Sequence, residues 1–388
     1  MKILYVITNS FWYGDNIALF NLMPHLIEGG VEPLFLVPKD SIANERFSEF
    51  TKLIIPYNVS NIFYTQKTTY SSSIIKNYIS SVKCVLKSLF ADNREYEYIH
   101  DVIKHSSPEL IHTNNSGCVL GYKLANSLNI PHVWHIREYG DKDANWLYFP
   151  SREYVMHRFN NKLNYNITIT EGIRKYFRLS KENTQTIYDG PICCRISPDI
   201  AHDKSYFLFV GRLFPNKGVE MLIEAMSKVI KHQPHTILRI AGSGDASYVS
   251  YIINRTKELG LVNNIEFLGY RNDIADLMSH AKAVIVPSYF EAFGFITTEA
   301  MFYGALVIGY DSAGTKEQMD NVENALGRKV CLRFSNTNEL ADVILNAIDS
   351  DLDRNVLKDV SNFVLKTYSD VESARKVFEF YLKIKKII

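Results

Sequence analysis

Two carboxylates, Glu291 and Glu299, stand in the otherwise apolar run YFEAFGFITTEA (289–300), with Gly294 between them. A core element gains nothing from unpaired carboxylates, whereas a sugar or ribose offers vicinal hydroxyls that donate to the two carboxylate oxygens. The strand AVIVPS (283–288) is expected to end just ahead, followed by YFEAFG as a loop and a helix from Phe295 to about Tyr303. Glu291 then lies in the loop at the strand's carboxyl end and Glu299 about one turn into the helix, both facing a ligand. Gly294 would let N–H groups at the helix N-terminus reach a polar or anionic group. Each acid alone has an ordinary explanation, a loop cap for Glu291 and a solvated helix face for Glu299. The neighbours Phe293, Phe295 and Ile296 argue against full solvation.

The stretch GRLFPNKG (211–218) offers the opposite charge. Arg212 directly follows a predicted strand and Lys217 opens the next helix, so two cations could converge on a diphosphate, Arg212 through bidentate hydrogen bonds. Either alone reads as a surface base in a loop. Glycines recur at the same strand edge: Gly211, Gly242 with Gly244, Gly269, Gly294 and Gly314 follow five successive strands. One such glycine simply ends a strand, but a series on one edge suits a ligand approaching the backbone. In the first half, HVWHIREYGD places His132, His135, Arg137 and Glu138 at a strand end. His135 could hydrogen-bond a substrate or shuttle a proton. His132 is assigned to the same strand face, further back, and is read as structural. The two histidines lack helical i, i+4 spacing and no DxD-type acid pair is present, so the expectation is chemistry without a metal.

These residues need a scaffold that gathers strand ends, and the chain supplies one. Short β-branched runs alternate with helical patterns, as parallel sheets covered by helices require. The first half has strands near 2–8, 33–38, 53–57, 110–113, 132–136 and 166–170. The second has them near 206–212, 237–244, 265–269, 283–288 and 305–311, and the chain turns helical after residue 334. YDGPICCRISPDIAHDKS (188–205) has two prolines and no helical period, which sets a boundary near residue 200. The expected domains are 1–200, 201–370 and a terminal helix 371–388 packing back on the first.

At 388 residues two cores are natural, and a composition of 46% hydrophobic and 22% charged residues is that of a folded globular chain. The net charge of +1 is dispersed, which gives no footprint for nucleic acid. Five cysteines without metal-ligand spacing fit reduced thiols in the cytoplasm. MKILYVITNSFWYG reads as a first strand and not a signal peptide. The apolar run 283–310 carries two carboxylates, each costing a spanning helix roughly 2.5–3.5 kcal/mol, so it is a series of core elements. The amphipathic stretch 71–90, with Lys76, Lys83 and Lys87, could touch an anionic membrane or pack on the first domain.

The stretches FVGRLFPNKGVEMLIEAM, IAGSGD, IEFLGY and VIVPSYFEAFGFITTEAMFYGALVIGYDSAGTKEQM together resemble the retaining GT-B glycosyltransferases of family 4. Glu291 and Glu299 match that family's Glu-x7-Glu motif. The resemblance implies an α/β GT-B architecture, two facing Rossmann-like domains with a cleft between them. It also implies a metal-independent enzyme whose substrate is a nucleotide sugar, with no other cofactor. Arg212 and Lys217 would hold the donor diphosphate, Glu299 the ribose, and Glu291 with the amides of Phe293 to Phe295 the donor sugar. The base would lie near Tyr270 and Arg271, and His135 would lie against the transferred sugar. Gly211, Gly242 and Gly244 would border the donor, as would Gly14, the single glycine of TNSFWYGDN where relatives often carry a pair. The usual Asn-Gly near the hinge is Asp189-Gly190 here.

The expected role is transfer of a sugar to a glycan or lipid-linked acceptor in bacterial surface polysaccharide synthesis, in the cytoplasm or against the inner membrane face. Two other readings stay open: a transferase-like binding subunit without catalysis, and a nucleotide-sugar epimerase, which would need no acceptor.

Overall fold

The computed structural model describes residues 1–58, 64–66, 93–144, 146–148, 151–161, 164–198, 204–349 and 353–387. The amphipathic stretch 71–90 lies outside the described residues. The chain forms two compact units, Met1–Gly190 with Asp370–Ile388, and Pro191–Ser369. The first crossing thus falls at Gly190–Pro191, earlier than the boundary expected near residue 200, and the chain re-enters the first unit at Asp370.

In the first unit, seven parallel strands lie in the order β3-β2-β1-β5-β6-β8-β9. They are β1 (Lys2–Val6), β2 (Glu32–Pro38), β3 (Ile54–Tyr57), β5 (Leu110–Thr113), β6 (His132–Ile136), β8 (Asn164–Thr168) and β9 (Thr184–Thr186). A separate antiparallel pair joins β4 (Tyr64–Gln66) to β7 (Trp146–Tyr148). Strands β1 and β2 are nearly continuous apolar runs, as burial on both faces of a parallel sheet favours, whereas β5, β6 and β8 also bury His112, His132, His135 and Asn166. On one face, Leu19, Leu22, Met23 and Leu26 of helix Gly14–Glu28 share a buried cluster with Val377, Phe380, Tyr381 and Ile384 of helix Asp370–Ile387. The last segment of the chain is therefore core of the first unit.

The second unit has six parallel strands in the order β12-β11-β10-β13-β14-β15. These are β10 (Tyr206–Val210), β11 (Leu238–Ala241), β12 (Ile265–Gly269), β13 (Ala281–Val286), β14 (Leu306–Tyr310) and β15 (Cys331–Phe334). The order reverses between β10 and β13. Outside the carboxyl ends of such a pair the two following loops diverge and leave a crevice, the usual ligand position in an open α/β sheet. β4, β7, β9 and β15 were not anticipated; each has only three or four residues, too few to show a strand period. β13 ends at Val286, two residues before the expected Ser288, because Pro287 has no N–H for the ladder.

Candidate active site

The two loops at the β10/β13 reversal meet through one ion pair. Beyond β10 the chain passes Gly211 and Arg212, makes a short 3₁₀ turn at Pro215–Lys217, and enters helix Val219–Val229 through Gly218. Gly218 has φ +71°, and a Cβ there would stand 2.0 Å from the carbonyl oxygen of Pro287, just past β13. Only glycine lets the two loops close to this distance. The Lys217 Nζ then donates to Glu291 Oε1 at 2.6 Å. Backbone bonds add to the junction: Tyr289 N–H donates to Asn216 O at 3.2 Å and Gly314 N–H to Glu291 O at 2.9 Å. Arg212 makes no hydrogen bond or ion pair with Lys217 or Glu291. Its guanidinium is exposed and lies 5.3 Å over the Phe214 ring.

Gly294, at φ +88°, caps helix Phe295–Phe302, which begins and ends where the sequence placed it. Phe293 is buried against Phe295 and Tyr368, and its carbonyl accepts from Gln318 Nε2 at 2.8 Å. Neither Gln318 nor Gly314 was anticipated as a support, although a Cβ at Gly314 would stand 2.5 Å from Phe293 O. Glu299, one turn into the helix, is only partly exposed. Its carboxyl has no hydrogen-bond partner among the described residues, and burial pushes its pKa up to about 7. An enclosed acceptor without a donor is suited to a ligand that brings hydroxyls.

The glycines after β10 and β11 have a use within the protein itself. A Cβ at Gly242 would stand 1.8 Å from Gly211 O, and one at Gly244 2.1 Å from Leu213 O. Leu213 N–H also donates to Ser243 O at 2.8 Å, so these glycines let two loops of the protein pack on each other. Tyr270 is 75% exposed beyond β12. Its neighbour Arg271 is engaged with Asp273, Nε to Oδ1 at 2.8 Å.

The first unit carries its own polar cluster at the carboxyl ends of β5 and β6. His135 and His132 point to opposite faces of β6, as residues three apart on a strand must, which corrects the shared face expected for them. His132 is structural, bonded to Thr113 Oγ1 at 2.8 Å and Asn164 Oδ1 at 3.1 Å, and burial pushes its pKa down to about 3. His135 is buried too, against His112, with its Nδ1 3.2 Å from His112 Nε2 and 3.3 Å from Arg137 Nη2. Burial first, then Arg137 and His112, hold His135 neutral, well below the ordinary histidine range. Arg137 also donates to Asn114 Oδ1 at 3.2 Å and pairs with Asp189. Glu138 accepts from Ser116 N–H at 3.0 Å and Asn115 Nδ2 at 3.1 Å, and burial raises its pKa to about 8. Sequence reasoning missed His112, Asn114, Asp189 and Tyr381 as members of this cluster. Gly14 begins helix Gly14–Glu28. The loop before it is held by the buried Asn16, whose Nδ2 donates to Asn9 O at 3.0 Å and Phe11 O at 2.8 Å.

Comparison with known proteins agrees with this fold. Residues 195–361 match the family model for glycosyl transferases group 1. Over the full chain the fold is that of Anabaena HepE in complex with UDP, with a TM-score of 0.77 at 17% identity, covering 99% of this chain and 100% of that one. Sucrose-phosphate synthase from Thermosynechococcus elongatus aligns over 100% of both chains with a TM-score of 0.73 at 19% identity. Among curated relatives, the uncharacterized glycosyltransferase MJ1607 of Methanocaldococcus jannaschii is 30% identical over 175 residues, 41% of this chain and 44% of that protein. A poly(ribitol-phosphate) alpha-N-acetylglucosaminyltransferase of Staphylococcus aureus is 24% identical over 71% of this chain and 53% of its own length. The matches thus span about half the length of these relatives. The second unit thus carries the match to glycosyl transferases group 1, and over the full chain the likeness to these solved structures is one of fold. Among the described residues no helix is long and apolar enough to cross a membrane.

Proposed function

We propose that this protein is a retaining glycosyltransferase that moves a sugar from a nucleotide-diphosphate sugar to a glycan or lipid-linked acceptor, in the synthesis of a bacterial surface polymer. The observation that carries the reading is the Lys217–Glu291 pair at the β10/β13 reversal, with Glu299 unpartnered one turn along the next helix. A cation and two carboxylates at one strand edge support binding of phosphate and of sugar and ribose hydroxyls there. HepE was crystallised with UDP and with UDP-glucose, which favours a uridine nucleotide among the donors to try first. The polymer role is supported by the name of the Staphylococcus aureus relative.

In the reaction, the bond between the sugar C1 and the diphosphate oxygen breaks, and the acceptor oxygen bonds to C1 from the same face. The acceptor proton passes to the leaving phosphate. Negative charge grows on the diphosphate as it departs, and the Arg212 and Lys217 cations stabilise it in place of a divalent ion. Glu291, drawn off Lys217 by the competing phosphate, accepts hydroxyls of the donor sugar. Glu299 accepts those of the ribose.

A thermal-shift and diphosphate-release screen against UDP-, GDP-, ADP- and dTDP-sugars, with and without EDTA, tests the proposal. One nucleotide class should stabilise the protein and release diphosphate slowly, unaffected by EDTA. Arg212→Ala and Glu291→Gln should each lower transfer about 10²–10³-fold with the fold intact. Stabilisation by none of these donors would favour a binding subunit, and interconversion of the sugar without an acceptor would favour an epimerase.

A further inference from the structure

The second unit carries a group of tyrosines and glutamates that the proposed reaction does not use. Glu220 and Glu224, four residues apart, share one face of helix Val219–Val229, and Tyr248, Tyr251 and Arg255, spaced by three and four, share one face of helix Ala246–Glu258. These faces meet: the Tyr251 hydroxyl donates to Glu220 Oε1, and Arg255 Nη2 lies 3.6 Å from Glu224 Oε1. The Tyr248 ring centre is 6.1 Å from that of Tyr251. Tyr289, in the loop after β13, stands within electrostatic reach of both Glu220 and Tyr248. The rings of Tyr251 and Tyr289 are 47% and 45% exposed.

Tyr289 is firmly held for so exposed a residue. Its N–H donates to Asn216 O at 3.2 Å and its carbonyl accepts from Ser312 Oγ at 2.7 Å. Its ring meets that of Tyr310 edge-on at 5.6 Å, and Tyr310 in turn packs on the buried Phe334. A ring fixed at the surface and left half open offers stacking area at little entropic cost. The polar groups beside it are also available. Glu220 accepts from Tyr251 but has no cation partner among the described residues. The Tyr248 hydroxyl is shielded from solvent and has no hydrogen-bond partner among them either. Burial first, then Glu220 and the other two phenols, push the Tyr248 hydroxyl up to about 12, so it keeps its proton and is a donor without an acceptor.

A pyranose presents a face of C–H groups and a rim of hydroxyls, so it packs on a phenol ring while carboxylates and phenols bond its rim. We propose that Tyr251 and Tyr289, with Glu220 beside them, form a glycan-binding surface on the second unit that takes a neutral chain of pyranose rings. A carboxylate without a cation partner disfavours phosphate and uronic acid groups, which sets nucleotides and anionic polymers aside as occupants. Tyr289 stands two residues before Glu291, so a chain bound here lies beside the loop that carries the Lys217–Glu291 pair. That the glycan is the protein's own acceptor or product rests on the function proposed above; the surface itself does not.

The test is saturation-transfer NMR on the full-length protein with maltohexaose, cellohexaose and chitohexaose as neutral probes and a hyaluronan hexasaccharide as the anionic one. At least one neutral probe should receive saturation at its pyranose C–H protons. Its affinity should fall about tenfold in Tyr251→Ala and further in Tyr251→Ala/Tyr289→Ala, while Tyr251→Phe/Tyr289→Phe, which keeps both rings, should retain most of it. Saturation of none of the neutral probes, an unchanged affinity in the double alanine variant, or equal binding of the hyaluronan probe overturns the proposal. A wild-type dimer in sedimentation that becomes a monomer in the double alanine variant, with no saturation transfer to any probe, overturns it in favour of a second copy of this chain. The nucleotide-sugar screen reads the other proposal separately. Glycan binding without stabilisation by any nucleotide sugar keeps the surface and counts against the transferase, and stabilisation by a nucleotide sugar without glycan binding does the reverse.

Discussion

Glu299 is a carboxyl whose burial acts against stability, as the binding role proposed for it would explain. Its carboxyl is raised from 4.5 to about 7 by burial alone. Between those values the folded state keeps a proton that the unfolded state has lost, so the unfolded state binds fewer protons and stability falls as pH rises through the window. The penalty is absent below about pH 4.5 and complete above about pH 7, reaching at most about 3 kcal/mol. Glu299→Gln should therefore raise the denaturant midpoint at pH 8 and leave it nearly unchanged at pH 4.5. A midpoint gain of equal size at both pH values would show that the carboxyl is not buried as the structure has it. On the proposed role of Glu299 at the ribose, nucleotide affinity should also rise with pH toward 8 in the wild type and lose that dependence in Glu299→Gln. Glu291 was as legible as Glu299 in the sequence. Its pairing with Lys217, 74 positions away, was not, because no local pattern encodes a contact across two loops.

At the scale of elements, the glycines at the strand ends separate into two kinds. Gly242 admits the carbonyl of Gly211, and backbone cannot move aside as a flexible side chain can. Gly269 has φ +66° with open space around its missing Cβ, so alanine there meets only the left-handed backbone penalty. Gly242→Ala should cost at least about 3 kcal/mol and Gly269→Ala about 1–2 kcal/mol, read as unfolding free energies of the two variants. Equal costs would mean that the loops of β10 and β11 do not pack as described. The sequence showed that glycines gather on this edge, and it suggested a ligand as the reason. For Gly242 and Gly244 the reason in the structure is the neighbouring loop, a distinction that only the three-dimensional approach of Gly211 and Leu213 reveals.

For the whole molecule, the chain begins one unit, builds the other, and completes the first with its last helix. Phe380 and Tyr381 lie in the same buried cluster as Tyr5 of β1 and Leu22 of helix Gly14–Glu28. Removing Asp370–Ile388 should expose that core and make the first unit sensitive to limited proteolysis. Phe380→Ala should destabilise it by about 3–5 kcal/mol. Persistent protection of residues 1–190 after the deletion would show that the helix is dispensable. Much of this molecule was determined locally. Apolar runs of strand length, alternating with helical periods, specify two parallel sheets, because the hydrophobic pattern and backbone hydrogen bonding act within a few residues. The Glu-x7-Glu spacing and the basic loop were visible for the same reason. What tertiary structure decided is which distant groups meet: Lys217 with Glu291, and Asp189 with Arg137 and the two histidines out to Tyr381. These depend on the order in which strands pair and on burial that withdraws water from polar groups, and both are properties of the folded chain.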